Sequence, residues 1–314
     1  MKVIVTRRLP APVEAKLAER FEVELNPGDE PLDRHALQEA MARCEVLAPA
    51  VTDRIDAGLI ESAGPRLKLI ANFGAGTDNI DLAAARARGI AVTNTPGVLT
   101  EDTADLVMAL ILMAMRGLGE GERILRGGRW HGWGPTDRLG RGLAGKALGI
   151  VGMGRIGRAV ARRAKAFGME IHYHNRSPAA DAQARFWPDL EAMLAAMDVV
   201  SLNAPYGPET HHIIDGRRLA LMRPSCWLIN AARGALVDEA ALVDALARGA
   251  IAGAGLDVYA NEPEVHPGLL ALPNVVLLPH LGSATIESRT AMGEKVLANI
   301  AAFAEGLDLP DRVA

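Results

Sequence analysis

Apolar residues in this chain follow two rhythms: short unbroken runs closed by turn residues, and longer segments where they return every third or fourth position. The first rhythm predicts buried strands and the second predicts amphipathic helices. Strands are expected at residues 3–6, 21–25, 46–48, 67–71 and 90–93, with helices over 12–20 and, after the turn-like NPGDEP at 26–31, over 32–43. The alternation resumes at 147–151 and continues through strands at 171–174, 199–203, 227–230, 255–258 and 275–278. A helix over 238–248 stops at Gly249, and one long helix covers 283–306. Strand and helix alternating over short connections predict an α/β chain of doubly wound parallel sheets, two of them rather than one. Two segments stand apart. The helix opening on Thr100, Glu101, Asp102 and Asp105 is apolar almost all round, which predicts a buried helix between the two domains. Residues 126–146 are rich in glycine and carry Trp130 and Trp133; this long loop is read as a surface arm packing on another subunit.

Residues 148–177 organise the rest. Gly152, Gly154 and Gly157 follow an apolar run and open a helical pattern carried by Ala159, Val160, Ala164 and Phe167. That is the sequence form of a dinucleotide-binding βαβ unit. Gly152 permits the tight turn, Gly154 lets the backbone approach a pyrophosphate, and Gly157 lets helix and strand pack closely. The phosphates then sit at the positive end of the helix. A plain glycine turn would carry the same triplet; the strand before it and the helix after it favour the nucleotide. In the first half, NFGAGTDNID at 72–81 also follows a strand. Gly74, Ala75 and Gly76 can present backbone N–H groups to an anion there, and a simple strand-to-helix turn explains the stretch equally well.

Length and composition narrow the class. At 314 residues the chain has room for two domains, and 49% hydrophobic with 23% charged residues describes a globular protein. A net charge of −4 gives no footprint for nucleic acid or an anionic membrane. Cys44 and Cys226 match no zinc or redox spacing and are expected to be buried apolar residues; no metal site is expected. The N-terminus reads as a strand rather than a signal peptide. The longest apolar run, 106–115, is about half a membrane span. A cytoplasmic location is expected.

The loops after the later strands carry three ionisable residues: Arg233 in NAARGALVD, Glu262 in DVYANEPE and His280 in LLPHLGS. Singly, each has a plain explanation, as a solvated cation, a cap near Pro263 and a structural histidine. Jointly, at the sheet edge that carries the nucleotide, they form a coherent set. Hydride transfer to a carbonyl needs an acid for the developing alkoxide, which a histidine supplies near neutral pH when a carboxylate favours its protonated form. A guanidinium can hold a substrate carboxylate by paired hydrogen bonds.

These five motifs, in this order over essentially the whole chain, resemble the D-isomer-specific 2-hydroxyacid dehydrogenase family, most closely its glyoxylate/hydroxypyruvate reductases (D-glycerate dehydrogenases). The resemblance implies a flavodoxin-like substrate domain at residues 1–98 plus 284–314 and a Rossmann dinucleotide-binding domain at 99–283. It implies that Arg233 binds the substrate carboxylate with help from the amides of Ala75 and Gly76, that His280 donates the proton in reduction, and that Glu262 holds His280. Cofactor contacts implied are Thr103, Gly152, Gly154, Arg155, Ile156, Gly157, Ala204, Pro205, Thr210, Ala231, Ala232, Arg233, Asp257, His280 and Gly282. The relatives are dimers, and Trp133 is a candidate to enter the partner's substrate pocket. One departure matters: where an acidic residue usually binds the ribose, this chain has Asn175, Arg176 and Ser177. No carboxylate there repels a 2′-phosphate and Arg176 can pair with one, so NADP(H) is expected over NAD(H); the alternative is that Arg176 stacks on adenine and either cofactor serves. The leading expectation is reduction of a short 2-keto acid, glyoxylate or hydroxypyruvate, to the D-2-hydroxy acid. Rivals are a reductase of a longer acid such as 2-ketogluconate, a phosphoglycerate dehydrogenase, and a corepressor-like NAD(P)-sensing binding protein.

Overall fold

Strands whose every residue is apolar and buried need cover on both faces, and helices between consecutive strands supply it. The computed structural model describes residues 1–180 and 182–314 and divides into two units, Met1–Leu99 with Ser283–Ala314, and Thr100–Gly282. The first unit runs β1 (Lys2–Val5), α1 (Ala11–Arg20), β2 (Glu22–Glu24), α2 (Arg34–Arg43), β3 (Val46–Ala48), α3 (Ala57–Ser62), β4 (Leu69–Ala71), α4 (Leu82–Ala87) and β5 (Ala91–Thr93). All pairings are parallel and the order is β2-β1-β3-β4-β5. Ile4, Leu47, Ile70 and Val92 from four of the strands meet Leu37, Met41, Leu59 and Ile60 from the helices in one core cluster. Asp33, Asp56 and Asp81 start α2, α3 and α4, each carboxylate accepting a hydrogen bond from its own first turn.

The second unit runs α5 (Thr100–Arg116), α6 (Leu118–Arg126), β6 (Ala147–Val151), α7 (Arg155–Ala166), β7 (Glu170–His174), β8 (Arg185–Phe186), α8 (Leu190–Leu194), β9 (Val199–Leu202), α9 (Gly216–Leu221), β10 (Trp227–Asn230), α10 (Glu239–Ala247), β11 (Gly253–Leu256), α11 (Pro267–Ala271) and β12 (Val275–Leu277). Its seven strands lie in the order β12-β11-β10-β9-β6-β7-β8, all parallel. Alternate residues serve opposite faces. Leu148, Ile150, Val199 and Ile229 enter one core, whereas Val151, Val200, Leu202, Leu228 and Leu256 enter the other. The chain then returns to the first unit as α12 (Ile286–Ala304), capped by the Thr285 hydroxyl, which accepts from the Ser288 amide at 3.0 Å. A methyl on Gly293 would meet Val13 of α1 at 2.7 Å, so glycine is what lets the two helices approach. Among the described residues no helix is long and apolar enough to cross a membrane.

Several elements differ from their sequence patterns. The strand expected at 255–258 is β11, two residues earlier, because Gly253 and Ala254 hide its start from an apolar reading; the Trp227 ring occupies the space a Gly253 side chain would fill. Helix α6 has no counterpart in the apolar pattern: Gly119 and Gly121 obscure it, and it has no buried residue. Helix α5 is not enclosed on all sides. Val107, Leu110, Ile111 and Ala114 are buried while Glu101, Asp105 and Ala109 are exposed. Both thiols are buried, which pushes each up to about 12.

Candidate active site

In an all-parallel sheet every strand delivers its following loop to the same edge, and the crevice lies where strand order reverses. Here the reversal falls between β6 and β9. The loop after β6 holds the glycine triplet. Gly152 has φ +99°, a conformation few other residues adopt, and its Cβ position lies 2.5 Å from the Ala204 amide nitrogen. A methyl on Gly157 would overlap the Gly152 carbonyl oxygen, whereas no atom stands within 4 Å of the Cβ position of Gly154. Two glycines therefore close the turn and the third leaves it open. Helices α8, α9 and α10 begin on Asp189, Asp215 and Asp238, whose carboxylates fill their first turns. Helix α7 begins on Gly154 with no side-chain acceptor, so its first-turn amides at Arg155, Ile156 and Gly157 keep their attraction for an anion. These residues fit a dinucleotide.

Neighbouring loops frame the same edge. Asn175 turns inward: its Oδ1 accepts the Met153 amide at 2.8 Å and steadies the glycine turn. Arg176 extends outward, its side chain 93% exposed and 3.6 Å from the carboxylate of Glu209; Ser177 beside it is exposed. After β9 come Ala204 and Pro205, and the Thr210 hydroxyl donates to the Pro205 carbonyl at 2.9 Å while accepting from the Gly207 amide at 2.9 Å. Thr103, buried on α5, lies 3.6 Å from the Cβ position of Gly282.

The loops after β10, β11 and β12 bring the ionisable residues together. After β10, Ala231 and Ala232 lead to Arg233. Asn230 shapes this turn, its Oδ1 accepting the Ala232 amide at 3.1 Å and its Nδ2 donating to the Arg233 carbonyl at 2.8 Å. A methyl on Gly234 would overlap the Tyr259 carbonyl group, so this glycine lets the Arg233 loop press on the loop after β11. Glu262 lies on that second loop, with Oε1 accepting the Tyr259 amide at 3.0 Å and Oε2 2.7 Å from His280 Nδ1. Burial pushes Glu262 up, but the His280 hydrogen bond and charge, the Tyr259 amide and the Arg233 charge outweigh it and hold the carboxyl below its ordinary range.

His280 has φ +55°, unusual for a residue with a side chain. What fixes it is Asp257, fully buried, whose backbone carbonyl accepts the His280 amide at 2.9 Å and whose carboxylate accepts the Leu281 and Gly282 amides at 2.7 and 2.8 Å. Burial pushes Asp257 above the ordinary carboxylate range against those amides and the His280 charge. Asp257 thus grips the His280 turn with both carboxylate oxygens. With Nδ1 committed to Glu262, the Nε2 of His280 is the atom left to exchange a proton.

The first unit has its own loop at the sheet edge, after β4. Among the described residues no acceptor lies against the amides of Ala75 and Gly76, while the carbonyls of Gly74, Ala75 and Gly76 are all engaged. Trp133 is 84% exposed on the glycine-rich segment, with Trp130 beside it at 54%. Asn230, Gly234 and Tyr259 shape the site yet do not stand out in the sequence; an asparagine closing a strand before a glycine-bearing turn is the available signal for the first.

The profile described as D-isomer specific 2-hydroxyacid dehydrogenase, NAD binding domain, matches residues 108–282. The chain is 46% identical to a glyoxylate reductase of Thermococcus litoralis over 99% of its own length and 96% of that protein. Its structure is similar to that of the TT0316 protein from Thermus thermophilus, with a TM-score of 0.94, 47% identity and full coverage of both chains. It is also similar to an NADPH-dependent glyoxylate/hydroxypyruvate reductase from Sinorhizobium meliloti in complex with NADP and malonate, with a TM-score of 0.91, 39% identity, and 100% and 96% of the two chains covered.

Proposed function

This chain belongs to the D-isomer-specific 2-hydroxyacid dehydrogenase family and is an NAD(P)-dependent oxidoreductase, and from that premise we propose that it reduces short 2-keto acids, glyoxylate and hydroxypyruvate first, with a preference for NADPH. The observation that carries the reading is the 2.7 Å pairing of His280 Nδ1 with Glu262, beside the Arg233 loop and on the sheet edge of the glycine turn. When bound, the nicotinamide cofactor supplies the hydride. Arg233 binds the substrate carboxylate through its planar fork and polarises the adjacent carbonyl. His280 delivers a proton from Nε2 to the oxygen that becomes the hydroxyl, and ionised Glu262 fixes the ring's orientation through Nδ1. Ala75 and Gly76 are proposed as carboxylate donors through their unpaired amides. The glycine turn, the first turn of α7 and the loops at Ala204–Thr210 are proposed to hold the pyrophosphate and ribose. Arg176 is proposed to meet a 2′-phosphate, in competition with Glu209.

We further propose a homodimer built on α6 and the glycine-rich segment. No residue of helix α6 is fully buried, and Leu125, Trp130, Trp133 and Leu139 are each more than half exposed, an apolar surface that a second copy would cover, with Trp133 the candidate to reach the partner's substrate.

The test is a panel of glyoxylate, hydroxypyruvate, 2-ketogluconate and 3-phosphohydroxypyruvate, each with NADPH and NADH at equal low concentration. The two short acids should give the highest kcat/KM and NADPH the faster rate. A clear NADH advantage overturns the cofactor preference, and no turnover of any acid overturns the enzymatic reading in favour of a nucleotide-sensing protein.

A further inference from the structure

We propose that Asn72 and Asn94, with Asn79 behind them, are positioning residues that hold the amides of Ala75 and Gly76 ready for a carboxylate. In the loop after β4 the three consecutive carbonyls of Gly74, Ala75 and Gly76 all accept hydrogen bonds, while among the described residues no acceptor lies against the amides of Ala75 and Gly76. The Gly74 carbonyl accepts the Thr95 amide at 2.9 Å, the Ala75 carbonyl accepts Asn94 Nδ2 at 2.7 Å, and the Gly76 carbonyl accepts Asn72 Nδ2 at 2.8 Å. Fixing a peptide's carbonyl fixes the N–H on its other side, since the peptide group is planar. The carbonyls of Gly74 and Ala75 belong to the same peptide planes as the amides of Ala75 and Gly76, so Thr95 and Asn94 set the direction of both free donors. Asn72 closes the segment from the next carbonyl along.

The orientation of Asn72 is itself enforced. Asn72 is fully buried at the end of β4, and its Oδ1 accepts Asn79 Nδ2 at 3.3 Å, which leaves Nδ2 as the end facing the Gly76 carbonyl. Asn79 cannot turn round, because its Nδ2 also faces the carbonyls of Ala50 and Asp53 at 3.2 and 3.1 Å, where an oxygen would find no donor. The brace therefore runs from the loop after β3, through two carboxamides, to Gly76. Each member is neutral. The loop gains donors for an anion without a cation that would attract other anions, and the organising cost is met in folding rather than in binding.

The inference rests on the reading of the enzyme as a 2-keto acid reductase. Its test compares wild type with Asn94→Ala, Asn94→Asp and Asn72→Asp, measuring KM and kcat for glyoxylate, the dissociation constant of oxamate (a non-reacting carboxylate analogue) by calorimetry, the dissociation constant of NADPH, and Tm. Asn94→Asp and Asn72→Asp keep the shape but set an acceptor against a carbonyl. KM and the oxamate constant should rise together by about tenfold to a hundredfold, with kcat and NADPH affinity within about threefold. Lowered Tm with unchanged KM and oxamate affinity would show the asparagines to be structural only and overturn the inference, as would a loss confined to kcat. Wild-type turnover of glyoxylate decides the underlying reading separately: without turnover but with oxamate bound, the variant ratios still decide the brace, and if wild type neither turns over nor binds, both fall.

Discussion

The loop after β4 and the loops after β10, β11 and β12 all crown parallel strands, and in the function proposed above they prepare for an anionic substrate by opposite means. In the first unit the donors are two backbone amides, and the groups that aim them are neutral carboxamides. In the second, the working groups are ionisable side chains, and what aims them is largely carboxylate: Glu262 on the ring of His280 and Asp257 on its backbone. An amide dipole cannot titrate or give up its proton, so it suits a group that only binds. A group that must transfer a proton has to be ionisable, and its surroundings must then set its charge. The two loops share one device. Asn72 and Asn230 each close a strand and return a carboxamide N–H to a carbonyl of the following turn, Gly76 in one case and Arg233 in the other.

Four substitutions test this picture, the first two of them on the ionisable side of the comparison. The largest effect belongs to His280→Ala, expected to lower kcat by about 10³-fold as a lost general acid does, while NADPH still binds with near wild-type affinity. If turnover survives, the ionisable side of the comparison is wrong. Glu262→Gln comes next, with a loss of about tenfold to a hundredfold in kcat/KM and a displaced pH profile. Because Glu262 is held below the ordinary carboxylate range, its charge is present throughout the neutral range. The stability it contributes is likewise present above about pH 4 and is lost as pH falls through the lowered value. Glutamine removes that charge at every pH, so the loss of activity that follows Glu262 protonation on the acid side of the wild-type profile should be absent in the variant. An unchanged acid limb would leave Glu262 as a steric support only.

The smallest effects are expected at the exposed pair. Arg176→Ala should weaken NADPH by about tenfold and leave NADH nearly unchanged. Glu209→Gln should raise the NADPH-to-NADH ratio by about twofold to threefold, the scale of a solvent-exposed ion pair. A drop in that ratio for Glu209→Gln would mean that Glu209 helps to orient Arg176 rather than competing for it.

Much of this molecule obeys short-range rules and is therefore legible in its sequence. The α/β class, the two parallel sheets and most strand positions follow from apolar runs and turn residues, because a strand covered on both faces must be apolar along its length. The glycine triplet is legible for a similar reason: it is a local pattern between a strand and the helix that follows it, with Gly157 packed against the Gly152 carbonyl. Arg233, Glu262 and His280 stand out through the motifs that carry them, NAARGALVD, DVYANEPE and LLPHLGS. Elements whose sequence carries no packing pattern are less legible, as α6 shows, since none of its residues is fully buried within the chain.

The loop after β4 lies at the other extreme. Its stretch NFGAGTDNID reads as a turn or an anion loop with equal ease, and nothing within it separates the two. The deciding contacts come from Asn94, nineteen positions away, and from an Asn79 anchored to Ala50, twenty-nine positions away. Which of these segments become neighbours depends on β4 lying between β3 and β5, and that order is set by long-range packing. Periodicity along the chain specifies which faces are buried. Only the assembled sheet specifies which carbonyls find a donor, and so how the amides in the same peptide planes are held.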